Sequence, residues 1–229
     1  MWPWGRRAVA LIGLIGAIAL PLCVATARGV ARSEFADTLK TEVELTTKEV
    51  GAKESLLSDV VADAIKTSAK SDAAFIAATS FNETTTIPKG NFKPDDLLNA
   101  LEYKSENIVL VKLTGDQINR AMEHGLMLAP KSNSAFLQFS GLVVTINPNA
   151  AAGKRVVSVK VNGDSLENAK TYKVAMPEPL AKGGLAYFKI WKQSDIDKDT
   201  EKSVESAVKS YLNDHKTITK GDERLVIKK

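Results

Sequence analysis

The residue types that usually hold metal ions or attack phosphate esters are scarce in this sequence of 229 residues. It contains two histidines, His124 and His215, and one cysteine, Cys23. Metal-dependent hydrolysis of phosphate esters needs several His, Asp and Asn ligands around one or two ions. Neither histidine belongs to a His-x-His or Asp-x-His pair. We therefore expect both histidines at exposed helix ends, and we expect no metal site and no cofactor.

Other catalytic motifs are equally weak. The sequence has no Gly-x-Ser-x-Gly motif of serine hydrolases, and no glycine-rich loop matches a P-loop or a dinucleotide-binding motif. The pair Gly183-Gly184 alone is not specific. Asp95 and Asp96 follow Pro94, which is better explained by the start of a helix than by an acid/base pair. A Ser/His/Asp group that meets only in the folded chain stays open.

The N-terminal segment has the three parts of a secretory signal peptide. Arg6 and Arg7 precede an apolar stretch over residues 8–26, and Ala25-Thr26-Ala27 has the small residues that a signal peptidase recognises. We expect cleavage after Ala27, so that residues 1–27 are a signal peptide and the protein is extracytoplasmic, either periplasmic or secreted. The alternative is an uncleaved membrane anchor, because the apolar stretch is just long enough to span a bilayer.

The composition of the remaining chain bounds its partners. Removal of residues 1–27 leaves 202 residues without Cys23, so the mature chain has no disulfide. A domain of this size buries enough apolar surface to be stable without one. The full sequence has a net charge of +4, and loss of Arg6 and Arg7 leaves +2. Because basic and acidic residues are interleaved, this small charge argues against a nucleic-acid partner.

The chain after the leader shows no sign of a second domain. We expect a tether over residues 28–45 and one domain over 46–229, because no Gly-, Ser- or Pro-rich linker and no repeat interrupts the latter. Apolar residues at helical spacing, with a proline near one start, predict helices over 54–70, 94–103, 118–126 and 200–213.

Apolar and β-branched runs predict the strands. They cover 73–78, 107–113, 135–146, 156–161, 172–176 and 224–228. We expect a bend or break at Ser140-Gly141, and Asn162-Gly163 is typical of a hairpin turn. Helices and strands mix without strict alternation. This order predicts an α+β (mixed α/β) fold, a single domain with a central mixed sheet flanked by helices.

Several distinctive segments follow one another in the chain. The first is ESLLSDVVADA, from Glu54 to Ala64. The others, in chain order, are Ile87–Gly90, Val109–Gly115, Ala121–Gly125, Phe136–Leu142, Arg155–Val159, Lys170–Ala175 and Gly183-Gly184 with Tyr187. Together they resemble the C-terminal domain of 5'-nucleotidases, whose first helix has the pattern E-[ST]-N-L-G-N-L-[IV]-A-D-A. The resemblance covers roughly residues 46–227 and implies that domain's fold.

The resemblance also implies a ligand. In that family the domain follows a metallophosphatase domain, which carries the metals, and holds the nucleoside with its base between two aromatic rings. It therefore implies a nucleoside or nucleotide ligand here, bound by Tyr103, Gly183, Gly184 and Tyr187.

Four family positions carry other residues in this chain. Residues Thr79–Thr84 replace an N-x-G-G-I-R loop, and Lys104 takes the place of one stacking ring in a gapless alignment. A shift of one residue puts Tyr103 there instead. Pro179 lies near the place of the second ring, and Leu185 replaces an aspartate.

Three functions follow from these observations. The first is a non-catalytic relative, associated by family with nucleotide catabolism, that works alone or with a separately encoded metallophosphatase. The second is an envelope binding module that binds a changed ligand through Tyr103, Tyr187, Phe188 and Trp191, although Phe188 and Trp191 are better explained as core residues. The third is an autonomous hydrolase.

Overall fold

The computed structural model describes residues 38–221 and 223–228, which belong to one compact unit. The strands are β1 (Leu39–Thr41), β2 (Leu45–Thr46), β3 (Ala73–Ala77), β4 (Thr86–Ile87), β5 (Gly90–Phe92), β6 (Asn107–Thr114), β7 (Leu137–Ser140), β8 (Leu142–Ile146), β9 (Val156–Val161), β10 (Asp164–Ser165), β11 (Thr171–Pro177), β12 (Ile196–Ser203), β13 (Thr217–Ile218) and β14 (Leu225–Ile227). The helices are α1 (Leu56–Ala69), α2 (Pro94–Leu98), α3 (Gly115–Gly125), α4 (Glu178–Ala181) and α5 (Val204–Asp214). None of the helices in this part of the chain is long and apolar enough to cross a membrane. The predicted signal peptide, residues 1–27, lies outside the described residues.

The central element is the five-stranded sheet β12-β6-β11-β3-β7. Strand β11 runs antiparallel to β6 and parallel to β3, and β3 runs antiparallel to β7, so the sheet is mixed as predicted. Every residue of β3 is buried, since helix α1 packs against it. A strand buried on both faces has a continuous apolar sequence, which explains why residues 73–78 have that pattern.

Helix α1 forms where the apolar spacing predicts it. The Ser55 hydroxyl accepts the N–H of Ser58 at the start, and Lys70 ends the helix in a left-handed conformation. The buried face is formed mainly by Leu57, Val60, Val61, Ala64 and Ile65, and α5 packs beside it. Burial of each large aliphatic side chain stabilises the fold by about 1.5–3 kcal/mol.

A second sheet has the order β10-β9-β8-β14, and one predicted turn leads into it while the other lies within it. Gly141 separates β7 from β8 with φ +77°, and a Cβ there would lie 2.3 Å from the carbonyl oxygen of Asp72. Asn162 and Gly163 both have positive φ, as the hairpin turn between β9 and β10 requires. Strand β14 joins the far side of this sheet, parallel to β8.

The segment expected to be a tether is partly inside the domain. Leu39 and Leu45 are buried, and β1 pairs with β5 and β13 in a small sheet. Within the described residues the packed structure therefore begins before Thr46. The sequence around β1 is polar and does not predict a strand. This strand forms because it pairs with β5 and β13, which are distant in the chain.

Two element boundaries differ from the prediction. The helix that begins at Pro94 ends at Leu98 and not at Tyr103, because Leu101 pairs with Phe81 in a β-bridge. Strand β12 was not predicted, and its last residues, 200–203, were assigned to the following helix. That run is charged and mostly exposed, and it pairs with β6 through register shifts, so it lacks the alternation of a regular strand.

Candidate functional site

Four strand ends place three loop segments at one edge of the central sheet. Pro177 at the end of β11 pairs with Ile108 at the start of β6, and Ala77 at the end of β3 pairs with Leu137 at the start of β7. Because β3 and β11 are parallel, the segments after them emerge at this same edge. We call this the candidate edge and define it by residues 79–84, 99–106 and 178–191.

The first two segments of the candidate edge are bonded to each other. Glu102 donates its N–H to the carbonyl of Ser80 at 3.0 Å, and Asn82 donates to the carbonyl of Ala100 at 2.8 Å. The hydroxyl of Thr47 donates to the carbonyl of Asn82. The loop at residues 79–84 is thus held by backbone pairing.

Tyr103 presents its ring to solvent from the turn before β6. Its side chain is 54% exposed, and its carbonyl accepts the N–H of Glu106 at 3.2 Å. The neighbouring carbonyl of Lys104 accepts the N–H of Glu205 at the start of α5. The backbone that carries this ring is therefore fixed at two points, while the ring itself is free to meet a ligand.

The segment after α4 has an unusual backbone. Gly183 has φ +90°, and a Cβ at this position would lie within 2.9 Å of Phe188 atoms. Leu185 and Ala186 also adopt the left-handed region, with φ 55° and 67°. Left-handed backbone in residues with a side chain costs about 1–2 kcal/mol each, so other contacts must hold it.

Tyr187 and Trp191 anchor this segment in the core. The two rings stack at 4.6 Å, and both residues are almost fully buried. The Tyr187 hydroxyl donates to the carbonyl of Ala135 at 2.7 Å, and the Trp191 indole donates to that of Leu180 at 3.1 Å. Burial raises the pKa of Tyr187 well above its ordinary value. The ring predicted to contact a ligand is therefore covered in this structure.

The four predicted site residues are thus only partly together. Gly183, Gly184 and Tyr187 share one segment, and Tyr103 lies on the neighbouring segment of the same edge. The core assignment of Trp191 is confirmed, but that of Phe188 is wrong, because its side chain is 64% exposed. Phe188 points outward because the left-handed turn buries its neighbour Tyr187 instead.

Three side chains from α3 hold the same segment, and no sequence pattern pointed to them. Gln117 donates to the carbonyl of Ile190 at 3.0 Å, and Arg120 donates to that of Lys189 at 2.7 Å. The Nε2 atom of His124 lies 2.8 Å from the carbonyl oxygen of Leu185. Spacings of three and four residues put these side chains on one helix face. Only the tertiary structure shows that this face meets residues 185–190.

The histidines have different surroundings. His215 is exposed at the end of α5 and stacks on Tyr211, as expected for a helix-end histidine. His124 is half-buried and contacts Tyr187 edge-on, so the expectation of an exposed residue is wrong there. Among the residues that the structure describes, no three His, Cys, Asp or Glu side chains come together as metal ligands.

Acidic groups also lie at the candidate edge. Burial raises the pKa of the Glu106 carboxyl, and the nearby charge of Glu178 raises it further. Glu178 in turn forms an ion pair with Lys182 at 2.6 Å. The edge therefore offers carboxyl groups in addition to the exposed rings of Tyr103 and Phe188.

Comparison with known proteins identifies relatives of this architecture. Residues 30–193 match the family model described as 5'-nucleotidase, C-terminal domain. A Bacillus subtilis protein, the trifunctional nucleotide phosphoesterase YfkN, is 33% identical over 145 residues, which are 60% of this chain and 10% of that protein.

Solved structures show the same fold. A 5'-nucleotidase precursor from Thermus thermophilus superposes with a TM-score of 0.73 at 26% identity, over 82% of this chain and 39% of that one. The sulfate thiohydrolase SoxB of Thermus thermophilus gives 0.62 at 20% identity, over 82% and 34%, which shows the fold alone. The chain thus spans well under half the length of these proteins.

Proposed function

Because the chain belongs to the family of 5'-nucleotidase C-terminal domains, we propose that it is an exported ligand-holding domain for nucleotide breakdown. It binds a nucleoside or nucleotide at the candidate edge and does not hydrolyse it. The metal centre that cuts the phosphate ester is supplied by a metallophosphatase, encoded separately or joined to this domain. The observation that carries this proposal is the exposed Tyr103 ring beside the glycine-pair segment at one sheet edge.

The chemistry of this edge suits a nucleoside. A base stacks on an aromatic ring with about 1–3 kcal/mol per base, and Tyr103 offers such a ring on a fixed backbone. Gly183 is buried and allows the tight left-handed turn, because a Cβ at this position would lie within 2.9 Å of Phe188 atoms. The Tyr103 ring is therefore the group that this edge offers for stacking on a flat base.

The histidines support a binding role over a hydrolytic one. His124 is engaged with the carbonyl of Leu185, and His215 with that of Tyr211. A histidine in such a contact positions backbone, and it would have to leave this contact to serve as a metal ligand or a general base. Both side chains already have a structural task.

A second candidate is an envelope binding module with a changed ligand. It is favoured by the exposure of Phe188, because this ring is presented at the edge while Tyr187 is covered. The carboxyls of Glu106 and Glu178 would repel a phosphate group and would suit a ligand with hydrogen-bond donors or a positive charge. On this reading the domain keeps the scaffold and binds a different small molecule.

Binding of adenosine and AMP to the purified chain distinguishes the two candidates. Adenosine at 100 times its dissociation constant should stabilise the protein by about 2.7 kcal/mol in a thermal-shift assay. Tyr103→Ala should weaken binding by roughly 5- to 150-fold, since it removes the stacking ring, while Tyr103→Phe should bind almost normally. Phe188→Ala is the matched control for loss of an exposed ring. No response to adenosine or AMP would reject the first candidate and leave the second.

Hydrolysis is tested on the same preparation. AMP incubated with the protein and added Mn²⁺, Mg²⁺ or Zn²⁺ should release no phosphate, and release should begin when a metallophosphatase domain is added. Turnover by the purified chain that persists after a further chromatographic step would refute the non-catalytic role. Mass spectrometry of the exported protein should show an N-terminus at Arg28, and an intact Met1 on membranes would contradict cleavage.

A further inference from the structure

A cluster of charged side chains, one buried and three half-buried, lies between helix α1 and strand β14, away from the candidate edge. Glu54 is just before the first residues of α1, Asp59 and Asp63 lie in its first two turns, and Arg224 directly precedes β14. The ligand-binding proposal uses none of these residues. Their arrangement joins the beginning of the domain to its last strand.

Glu54 is the main link to the last strand. Its carboxylate accepts the backbone N–H of Arg224 at 2.9 Å and that of Leu225 at 2.8 Å. These two donors stand where β14 begins its pairing with β8. A carboxylate that accepts two N–H groups makes strong, charge-assisted hydrogen bonds. The attachment of β14 therefore depends on the charge and position of Glu54.

The charges of three carboxyl groups act on one guanidinium, that of Arg224. Arg224 donates to Asp63 at 2.7 Å and to the carbonyl of Phe139 at 3.0 Å. Its Nη1 lies 3.6 Å from Asp59 Oδ1, which is too long for a hydrogen bond. With all three acids ionised the cluster would carry two excess negative charges in a mostly buried place. One bound proton would remove half of that excess.

Asp59 is the member of the cluster that best fits this proton. It is 5% exposed, and its Oδ1 is buried and has no hydrogen-bond partner among the residues that the structure describes. Burial raises the pKa of Asp59 to about 8; Arg224 opposes the shift, and Glu54 and Asp63 add to it. From α5 the phenol of Tyr211 also faces the cluster, and burial and then Asp63 raise its pKa. Asp59 and Glu54 line the same small cavity beside Arg224, and Glu54 is a side-chain neighbour that raises the pKa of Asp59. A protonated Asp59 can donate to Glu54, which the ionised form cannot do.

We infer that Asp59 is a proton-dependent latch for the C-terminal strand β14. With its proton, Asp59 donates to Glu54, and Glu54 keeps the N–H groups of Arg224 and Leu225. When the proton leaves, two carboxylates face each other, and the carboxylate that holds β14 is pushed out of position. The strand then loosens from β8 while the central sheet stays intact.

The sign of the pH dependence follows from linkage. The folded state keeps a proton on Asp59 that the unfolded chain releases near the ordinary pKa of 3.8. The contribution of Asp59 to stability is therefore complete below pH 3.8. It is lost progressively as the pH rises from there through about 8, above which neither state holds the proton. Asp59→Asn cannot ionise, and its amide can still donate to Glu54. It should remove this pH dependence.

Urea unfolding and hydrogen exchange from pH 5 to 9 test the latch. Relative to Asp59→Asn, the unfolding constant of the unmodified protein should rise by up to about tenfold per pH unit and level off above pH 8. Exchange protection at the Leu225 amide should fall over this range more than at Val111 in β6. In Asp59→Asn the ratio of the protection factors of the Leu225 and Val111 amides should stay constant over the same pH range. The matched control Asp95→Asn, at an exposed site, should follow the unmodified protein.

Three results would overturn the inference. In the first, the Asp59 carboxyl carbon, followed by NMR in the unmodified protein, titrates near pH 4. In the second, Leu225 and Val111 lose protection in parallel, which makes the cluster a global stability element and not a latch. In the third, Asp59→Asn keeps the pH dependence of the unmodified protein. The NMR titration and the exchange of Leu225 and Val111 in the unmodified protein need no variant, and together they decide the question even if Asp59→Asn fails to fold.

Discussion

The start of helix α1 and the segment from Gly183 to Trp191 are both held by side chains from distant parts of the chain, but by different means. At α1 the backbone is regular, and Gln138 from β7 accepts from the Ser55 N–H and the Ser58 hydroxyl. The same amide donates to the carbonyls of Val50 and Lys53 at 2.7 Å each. These hydrogen bonds are buried, except that to Lys53, which is partly buried.

The segment from Gly183 to Trp191 has an irregular backbone that is held by several separate contacts. Its backbone is strained at Leu185 and Ala186, and its fixation is divided between two buried rings and the polar face of α3. Strained backbone persists only where its surroundings determine it, and it is concentrated at functional sites. The difference suggests that the α1 region serves stability, while the glycine-pair segment is shaped for what it presents at the candidate edge.

Among the substitutions that test this difference between the two regions, Trp191→Ala should lower the free energy of unfolding most. Trp191→Ala removes a ring that stacks on Tyr187 and is 1% exposed, so the free energy of unfolding should fall by about 3–5 kcal/mol. Urea denaturation measures this change. Phe188→Ala removes an exposed ring three positions earlier and should change stability by less than about 0.5 kcal/mol. Equal effects of the two variants would show that the segment is not anchored as described.

The second-largest loss of stability should come from removing the Gln138 amide at the start of α1. Gln138→Leu keeps the size of the side chain but leaves the Ser55 N–H and the carbonyls of Val50 and Lys53 without their partner. Each unsatisfied buried group costs about 1–3 kcal/mol, so the loss of stability should be at least about 2 kcal/mol. The same substitution at Gln193, which is exposed, should be nearly neutral in the same denaturation experiment. A neutral Gln138→Leu would mean that water replaces the amide.

Sequence patterns predicted those elements whose cause is local. The spacing of Leu57, Val60 and Val61 predicted α1, and Asn162-Gly163 predicted the hairpin, because helix periodicity and turn geometry are properties of neighbouring residues. Strand β12 was not predicted, because its pairing with β6 is irregular and its sequence is charged. Nothing within residues 196–203 marks them as a strand.

The candidate site was predicted less completely than the fold. The resemblance predicted that a ligand is bound by Tyr103, Gly183, Gly184 and Tyr187. The segments that carry these residues follow or precede the paired strand ends of β11 and β6. The resemblance did not predict that Tyr187 is buried and Phe188 exposed. The direction of these two side chains depends on the left-handed residues before them, Leu185 and Ala186, and on contacts of α3 side chains with the carbonyls of this segment. Side-chain direction after a strained turn is decided by tertiary packing.

The smallest predicted effect tests the strained backbone itself. Glycine adopts positive φ without steric cost, so Ala186→Gly should stabilise the protein by about 0.4–1 kcal/mol. The matched control is Ala69→Gly at the end of α1, where right-handed backbone favours alanine and the change should destabilise by about 0.5–1 kcal/mol. Parallel thermal and urea unfolding of both variants measures the opposite signs. If both variants lose stability, residue 186 is not left-handed in solution, and the contrast between a regular α1 region and a strained glycine-pair segment fails.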